Sequence, residues 1–285
     1  MTARTLRSGG WLLAAWLLAS PAAAAEEARY PGNLDVPYVP TQPATVEAML
    51  RIAGVGAGDF VIDLGSGDGR ILITAAKKYG ARGFGVDLDP QRVKESIANA
   101  KEAGVTDRVQ FHQRNLFDTR IGEATVVTMY LLPRVNLELR PRLFAELKPG
   151  TRVVSHDFDM GDWKPDLQAS VRGAGSQIYF WVIPAQIAGL WKVQVGSSRG
   201  NAEYELDITQ KYQEINVVAR RAGKQVVVIS PRLDGDALGF VLVDHEDPVY
   251  RRRFDGKVTG NTIEGSARGD ANALRGEYKW RATKN

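Results

Sequence analysis

Residues 59–70 read Asp-Phe-Val-Ile-Asp-Leu-Gly-Ser-Gly-Asp-Gly-Arg, and no other stretch limits the possible folds so narrowly. Phe60 to Leu64 is a short apolar run broken by one acid, Asp63, as suits a buried strand. Glycines at 65, 67 and 69 follow at once, and helical spacing resumes through Ile71, Leu72, Ala75 and Ala76. Strand, glycine turn and helix in that order make a nucleotide-type binding turn. Glycine permits backbone paths closed to other residues and lets a ligand approach the main chain, while the helix start offers unpaired N–H groups.

Spacing narrows the ligand. A dinucleotide fingerprint needs a small residue three positions after its second glycine, and that position holds Arg70. A P-loop is excluded, because no Gly-Lys-Ser/Thr follows the glycines. The next strand, Arg82 to Val86, runs into Gly85-Val86-Asp87-Leu88-Asp89-Pro90. It places the Asp87 carboxylate where a ribose presents its two hydroxyls, both of which a carboxylate can accept. A nucleoside ligand is expected. Asp68 and Arg70 are expected to cap or pair locally within the turn.

Gly-x-Gly-x-Gly after Asp63, with Asp87 closing the following strand, resembles the first motifs of class I (seven-β-strand) S-adenosylmethionine-dependent methyltransferases. Val109 to Asp118 looks like that family's third strand and adenine-side loop; many relatives carry an acid where this chain has Asn115, whose amide can also bond an adenine edge. Pro37-Tyr38-Val39-Pro40-Thr41, ahead of the glycine turn, is similar to a subgroup of protein-lysine methyltransferases. That subgroup includes mitochondrial enzymes and, more distantly, histone-lysine enzymes of the Dot1 type, in which the segment helps cover the cofactor. The resemblance spans roughly residues 37 to 160. It implies S-adenosyl-L-methionine as cofactor, held by Tyr38, Thr41, Asp63, Gly65, Ser66, Gly67, Asp87, Asn115 and Leu116, with Asp63 toward the cofactor's ammonium. It also implies methyl transfer to an amine, a protein lysine being one candidate.

A methyl sulfonium is already an activated electrophile, so such an enzyme chiefly aligns a nucleophile and manages one proton. No metal is needed. The chain has no cysteine, and His112, His156 and His245 are too scattered for a zinc site. The reacting methyl is expected beyond the ends of the first, fourth and fifth strands, near Thr128 to Pro133 and Ser155 to Asp159. The Asn/Asp-Pro-Pro-aromatic motif of many amino methyltransferases is missing at the former, which disfavours base or glutamine-amide methylation. Tyr130 and His156 are the candidate catalytic residues. Tyr130 offers a hydroxyl and a ring face to a cationic amine, or simply packs at a strand end. His156 and Asp157 can act as base and orienting partner only if a loop brings them together, since adjacent strand residues face opposite ways.

Helices at 43–53, 69–79, 90–103 and 134–147 alternate with strands at 59–64, 82–87, 107–113, 124–130 and 151–157. Alternation of this kind implies a parallel sheet covered by helices, and Ile178 to Ile183 adds a last antiparallel strand by analogy with the family. After about residue 186 the texture changes to short alternating runs separated by Gly, Asn, Asp and Ser, with a hairpin at 256–265 turning on Gly260-Asn261. An antiparallel meander closed as a small barrel or sandwich is expected. The fold class is therefore α/β, a Rossmann-like doubly wound sheet of the class I methyltransferase type over 30–186, followed by a small all-β domain over 187–285. Arg251-Arg252-Arg253 reads as a solvated strand face or as a site for an anionic partner, and the partner of the β domain is unknown.

The N-terminus points elsewhere. Arg4 and Arg7 precede an apolar run from Trp11 to Ala19, and Ser20-Pro21-Ala22-Ala23-Ala24-Ala25 supplies a small-residue cleavage site before Glu26. Residues 1–25 thus have the layout of a secretory signal peptide, and an exported, periplasmic protein without a transmembrane anchor after cleavage is expected. The formal charge of +4, falling to +2 without Arg4 and Arg7, is too balanced to argue for nucleic acid. Export sets up an alternative of another class: a nucleoside-binding or envelope-interaction protein that keeps a methyltransferase-like fold without catalysis. The intact acids and glycines of the cofactor motifs oppose it. A nicotinamide oxidoreductase ranks third, disfavoured by Arg70.

Overall fold

The computed structural model describes residues 38–196, 200–246, 250–269 and 276–285; the leader-like segment and its cleavage site lie outside them. Helix α1 (Pro43–Ile52) starts on a proline, which sets the helical φ without wasting an N–H, and buries Val46, Met49 and Leu50. Strand β1 (Phe60–Leu64) leads through the glycine turn into α2 (Arg70–Tyr79), whose buried face is Ile71, Leu72, Ala75 and Ala76. Then come β2 (Arg82–Asp87), α3 (Pro90–Ala103) and β3 (Val109–Gln113). Asp89 caps α3 by accepting from the Gln91 N–H, and Gly104 ends it in the left-handed conformation. Strand β4 (Val126–Met129), helix α4 (Pro133–Glu146), and strands β5 (Arg152–His156), β6 (Leu167–Val171) and β7 (Ser176–Val182) complete the first sheet.

Its strand order is β3-β2-β1-β4-β5-β7-β6. The first five strands are parallel, and β7 runs antiparallel between β5 and β6. The order reverses across β1, with β2 on one side and β4 on the other. A ligand crevice therefore opens beyond the carboxyl ends of these strands. The expected antiparallel strand near 178–183 is β7. Strand β6 has no counterpart in the sequence reading, because this edge strand is largely exposed and carries no buried alternation.

Eight further strands form a closed antiparallel barrel, which decides between the two β architectures expected: β8 (Gly189–Val195), β9 (Ala202–Lys211), β10 (Glu214–Arg221), β11 (Lys224–Asp234), β12 (Ala237–Val243), β13 (Arg251–Thr259), β14 (Thr262–Gly269) and β15 (Glu277–Lys284). Strand β15 pairs back onto β8. The anticipated hairpin turns at Gly260-Asn261, but its first arm is continuous with the run before it, so β13 spans both. The interior of an eight-stranded barrel is narrow enough for side chains to fill, and this one is packed with Trp191, Leu206, Phe240, Phe254 and Trp280 among others. Phe240 and Phe254 stack at 4.8 Å, with Trp280 edge-on to both.

The barrel is docked onto the first sheet's domain. Tyr212 and Gln213, at the β9–β10 turn, lie against α4 and the segment after β5. Phe144 stacks on Tyr212 at 5.4 Å, and buried Trp163 donates its indole N–H to Gln213 Oε1 at 2.8 Å. Gln213 Nε2 donates in turn to the Lys164 carbonyl at 2.7 Å, and the Ala185 N–H donates to the Gly235 carbonyl at 2.8 Å. Among the described residues, no helix is long and apolar enough to cross a membrane.

Candidate active site

The floor of the crevice is the glycine turn. The N–H groups of Gly65 and Ser66 both donate to the Val86 carbonyl of β2 at 2.9 Å, which locks the turn to the neighbouring strand. Gly65, Gly67 and Gly69 have φ of 79°, 53° and 83°. Leu131 lies where a Cβ on Gly65 would sit, and the Tyr38 ring does the same at Gly67. A turn with this backbone and this cover tolerates only glycine.

Asp63, at the end of β1, is fully buried. Thr128 Oγ1 donates to its Oδ1 at 2.6 Å, while Oδ2 is buried with no partner. Burial pushes the carboxyl up to about 7, opposed by the Thr128 hydrogen bond and reinforced by the negative charges of Asp87 and Asp68. A buried acid in this state is relieved by a cation at its open oxygen. Ser66 Oγ, on the turn itself, is likewise buried with no partner.

Asp87 closes β2. Its Oδ2 accepts from the Gly67 N–H at 2.8 Å and its Oδ1 from the Asp89 N–H at 3.0 Å. These bonds fix the carboxylate plane, and each oxygen retains a second lone pair for a hydroxyl. Asn115 caps a short 3-10 turn, Leu116–Asp118, with Oδ1 accepting from the Phe117 N–H at 2.9 Å. Its carbonyl oxygen thus serves the fold, and an adenine contact falls to the amide nitrogen.

Tyr38 lies over Gly67 with the Arg92 guanidinium 4.5 Å from its ring centre. Thr41 is buried, with Oγ1 3.1 Å from His156 Nδ1. Its carbonyl accepts from Arg70 Nη1 at 2.9 Å, and Arg70 also pairs with Asp68, the local pairing expected from sequence. The segment before α1 is therefore strapped both to the turn and to the end of β5.

At that end the chain turns sharply. Asp157 adopts a left-handed φ of 61°, which carries its carboxylate back toward the preceding residue and brings Oδ2 to 3.4 Å from His156 Nε2. The closer partner of Nε2 is Ser176 Oγ at 2.9 Å. Both ring nitrogens of the buried His156 are thus occupied, and burial holds its pKa below the usual imidazole range against the pull of Asp157. Tyr130 packs on the His156 ring with centroids 3.8 Å apart, and its hydroxyl lies 3.4 Å from Asp157 Oδ2. Burial first, then the Asp157 charge, raise the Tyr130 pKa. Tyr130 and His156 are thus together, with Asp157 between their polar ends. Ser176 and Gln177, from β7, complete the arrangement; no local pattern marks them, since an antiparallel strand some twenty residues on delivers them.

A family model of the ANTKMT methyltransferase domain matches residues 63–167. A protein-lysine N-methyltransferase of Saccharolobus islandicus is 48% identical over 151 residues, covering 52% of this chain and 94% of that protein. The chain belongs to the class I S-adenosylmethionine-dependent methyltransferases. An adenine nucleotide translocase lysine N-methyltransferase of Mus musculus is 38% identical over 138 residues, 48% of this methyltransferase and 59% of the mouse protein. Among solved structures, an RNA methyltransferase from Salinibacter ruber in complex with S-adenosyl-L-homocysteine has 56% sequence identity and a TM-score of 0.51. It covers 52% of this chain and 96% of its own.

The cofactor of this methyltransferase is S-adenosylmethionine, and the residues present fit it. Asp63 offers an orphaned buried oxygen to an ammonium, Asp87 an oriented carboxylate to a ribose, and the glycine turn a main chain free of side-chain bulk.

Proposed function

We propose that this methyltransferase acts on the ε-amino group of a protein lysine. The observation that carries the reading is the 48% identity to a protein-lysine N-methyltransferase across nearly the whole of that protein. Tyr130 supports it by presenting a ring and a hydroxyl beside a carboxylate at the ends of β4 and β5, surroundings suited to an alkylammonium.

When bound, S-adenosylmethionine supplies an electrophilic methyl: the N–C bond forms as the S–C bond breaks, sulfur leaves as a neutral thioether, and the amine's proton passes to water. The chain's own residues bind and orient. Asp63 provides a counter-charge that Thr128 holds in place, and Asp87 fixes a hydroxyl pair. Tyr38 covers the turn, while Thr41 and His156 brace the wall on which Tyr130 stands. Since the methyl donor is already activated, alignment is the main demand on the protein.

The leader-like N-terminus adds that the enzyme works after export, on an envelope protein; N-terminal sequencing of the periplasmic fraction tests this directly. A second reading, methylation of RNA, is favoured by what the Salinibacter ruber relative is described as, and opposed by the near-balanced charge of this chain. Incubating the protein with methyl-labelled S-adenosylmethionine and either a lysine-rich peptide or total RNA separates the readings. Label in acid-stable methyllysine is expected; label confined to RNA overturns the lysine assignment.

A further inference from the structure

The pairing of His156 with Asp157 invites the reading of a base and its orienting partner, but the imidazole is enclosed and the carboxylate is the more open of the two. His156 is 4% exposed, and each ring nitrogen faces a hydroxyl, Thr41 on one side and Ser176 on the other. Ser176 is itself bonded by Thr45 Oγ1 at 3.3 Å, so the imidazole sits inside a chain of structural hydrogen bonds. It has no approach for a substrate.

Asp157 is the opposite case. Its main chain exchanges N–H and carboxylate bonds with β7: the Asp157 N–H donates to the Gln177 carbonyl, and the Gln177 N–H donates to Asp157 Oδ1, both at 2.8 Å. One carboxylate oxygen is thereby pinned. The other, Oδ2, accepts among the described residues only a long bond from the Tyr130 hydroxyl at 3.4 Å, with His156 Nε2 at the same distance, both beyond the usual length for a hydroxyl–carboxylate bond. The side chain is 31% exposed, and among the described residues no lysine or arginine lies within ion-pair distance of it. The rings of Tyr130 and Phe158 stack near-parallel at 6.2 Å alongside. A non-glycine residue in the left-handed region is sparsely populated backbone, and such residues cluster where a side chain must be aimed.

We propose that Asp157 is the substrate-binding carboxylate of this enzyme: its Oδ2 accepts a hydrogen bond from the incoming lysine ammonium while the Tyr130 face flanks the alkyl stem, and His156 positions Tyr130 by packing. The proposal rests on the lysine reading above and names the group that selects a cationic acceptor. A neutral amide or hydroxyl could also donate to this carboxylate, but without the ion-pair attraction that an ammonium adds.

The test uses a probe independent of methyl transfer. The protein, saturated with S-adenosylhomocysteine, is titrated with n-butylammonium chloride while the imidazole resonances are followed by NMR. With three histidines in the chain, His156 is assigned from His112→Gln and His245→Gln variants. A saturable shift at His156 is expected. In Asp157→Asn, whose side chain also tolerates the left-handed backbone, affinity should fall at least about tenfold with S-adenosylhomocysteine binding unchanged. No saturable shift in the parent protein, or equal affinity in Asp157→Asn, overturns the proposal. A lysine-rich peptide assay run alongside separates the two ideas: butylammonium bound through Asp157 without methylation of any lysine leaves this site standing and removes the lysine reading.

Discussion

Thr41 Oγ1 lies 3.1 Å from His156 Nδ1, joining residues 115 positions apart, while the carbonyl of the same threonine receives Arg70 Nη1. One residue thus ties the entry segment to the cofactor turn and to the acceptor wall. The bond is buried, so its loss leaves an unsatisfied ring nitrogen.

Thr41→Val keeps the shape and removes the hydroxyl. A loss of about 1–3 kcal/mol in unfolding free energy is expected, measured by urea denaturation, with kcat/KM reduced and Thr41→Ser close to the parent. A valine variant as stable and active as the parent would remove the strap from the account.

At Gly67, φ is 53° and an added Cβ would stand 2.6 Å from Tyr38 Cε2. Gly67→Ala should weaken S-adenosylmethionine binding at least about tenfold by calorimetry. Adding Tyr38→Ala removes the clash and leaves the backbone strain, so it should recover part of the loss and not all of it.

Asp87→Ala removes an oriented acceptor and releases the Gly67 N–H. S-adenosylmethionine should bind more weakly by about 1–3 kcal/mol, with the fold intact by circular dichroism. Unchanged affinity would place the ribose elsewhere.

Asp63 has a carboxyl pKa raised from 3.8 to about 7 in the folded protein. The folded state therefore holds a proton that the unfolded chain gives up, so the stabilisation is complete below the unfolded value and is lost as pH rises through the folded one. Without cofactor, Asp63's contribution to Tm should decline from about pH 4 to about pH 7, and Asp63→Asn should flatten that slope. Binding a cation beside Asp63 should expel the proton, making the calorimetric enthalpy of S-adenosylmethionine binding near pH 6.5 depend on the buffer's ionisation heat. Equal enthalpies across buffers would rule this out.

Gln213 joins the barrel to Trp163, whose indole N–H is buried. Gln213→Ala should cost about 1–3 kcal/mol and lower the scanning-calorimetry Tm, with S-adenosylmethionine affinity unchanged. A changed cofactor affinity would show the barrel acting on the site.

Much of this was legible in advance. Asp63, the three glycines and Asp87 declare themselves because strand, turn and strand end are contiguous in sequence, and each residue type has one physical reason to stand there. Strand β6 was hidden, because an exposed edge strand carries no hydrophobic alternation. So was the length of β13, since Gly256 in mid-strand reads as a break. Hidden too was the bond from the Thr41 hydroxyl to His156, a contact that no spacing rule anticipates.

The sequence by itself determined the succession of buried strands and amphipathic helices, the change to an all-β texture after about residue 186, and the cofactor turn, because all are written in periodicity and local residue type. Only the tertiary structure decided that the β runs close into a barrel rather than a sandwich, that Gln213 docks it against Trp163, and that a left-handed Asp157 faces Tyr130. Those outcomes depend on which strands pair and on one backbone dihedral at a strand end, and they are settled when distant segments pack rather than by any stretch read alone.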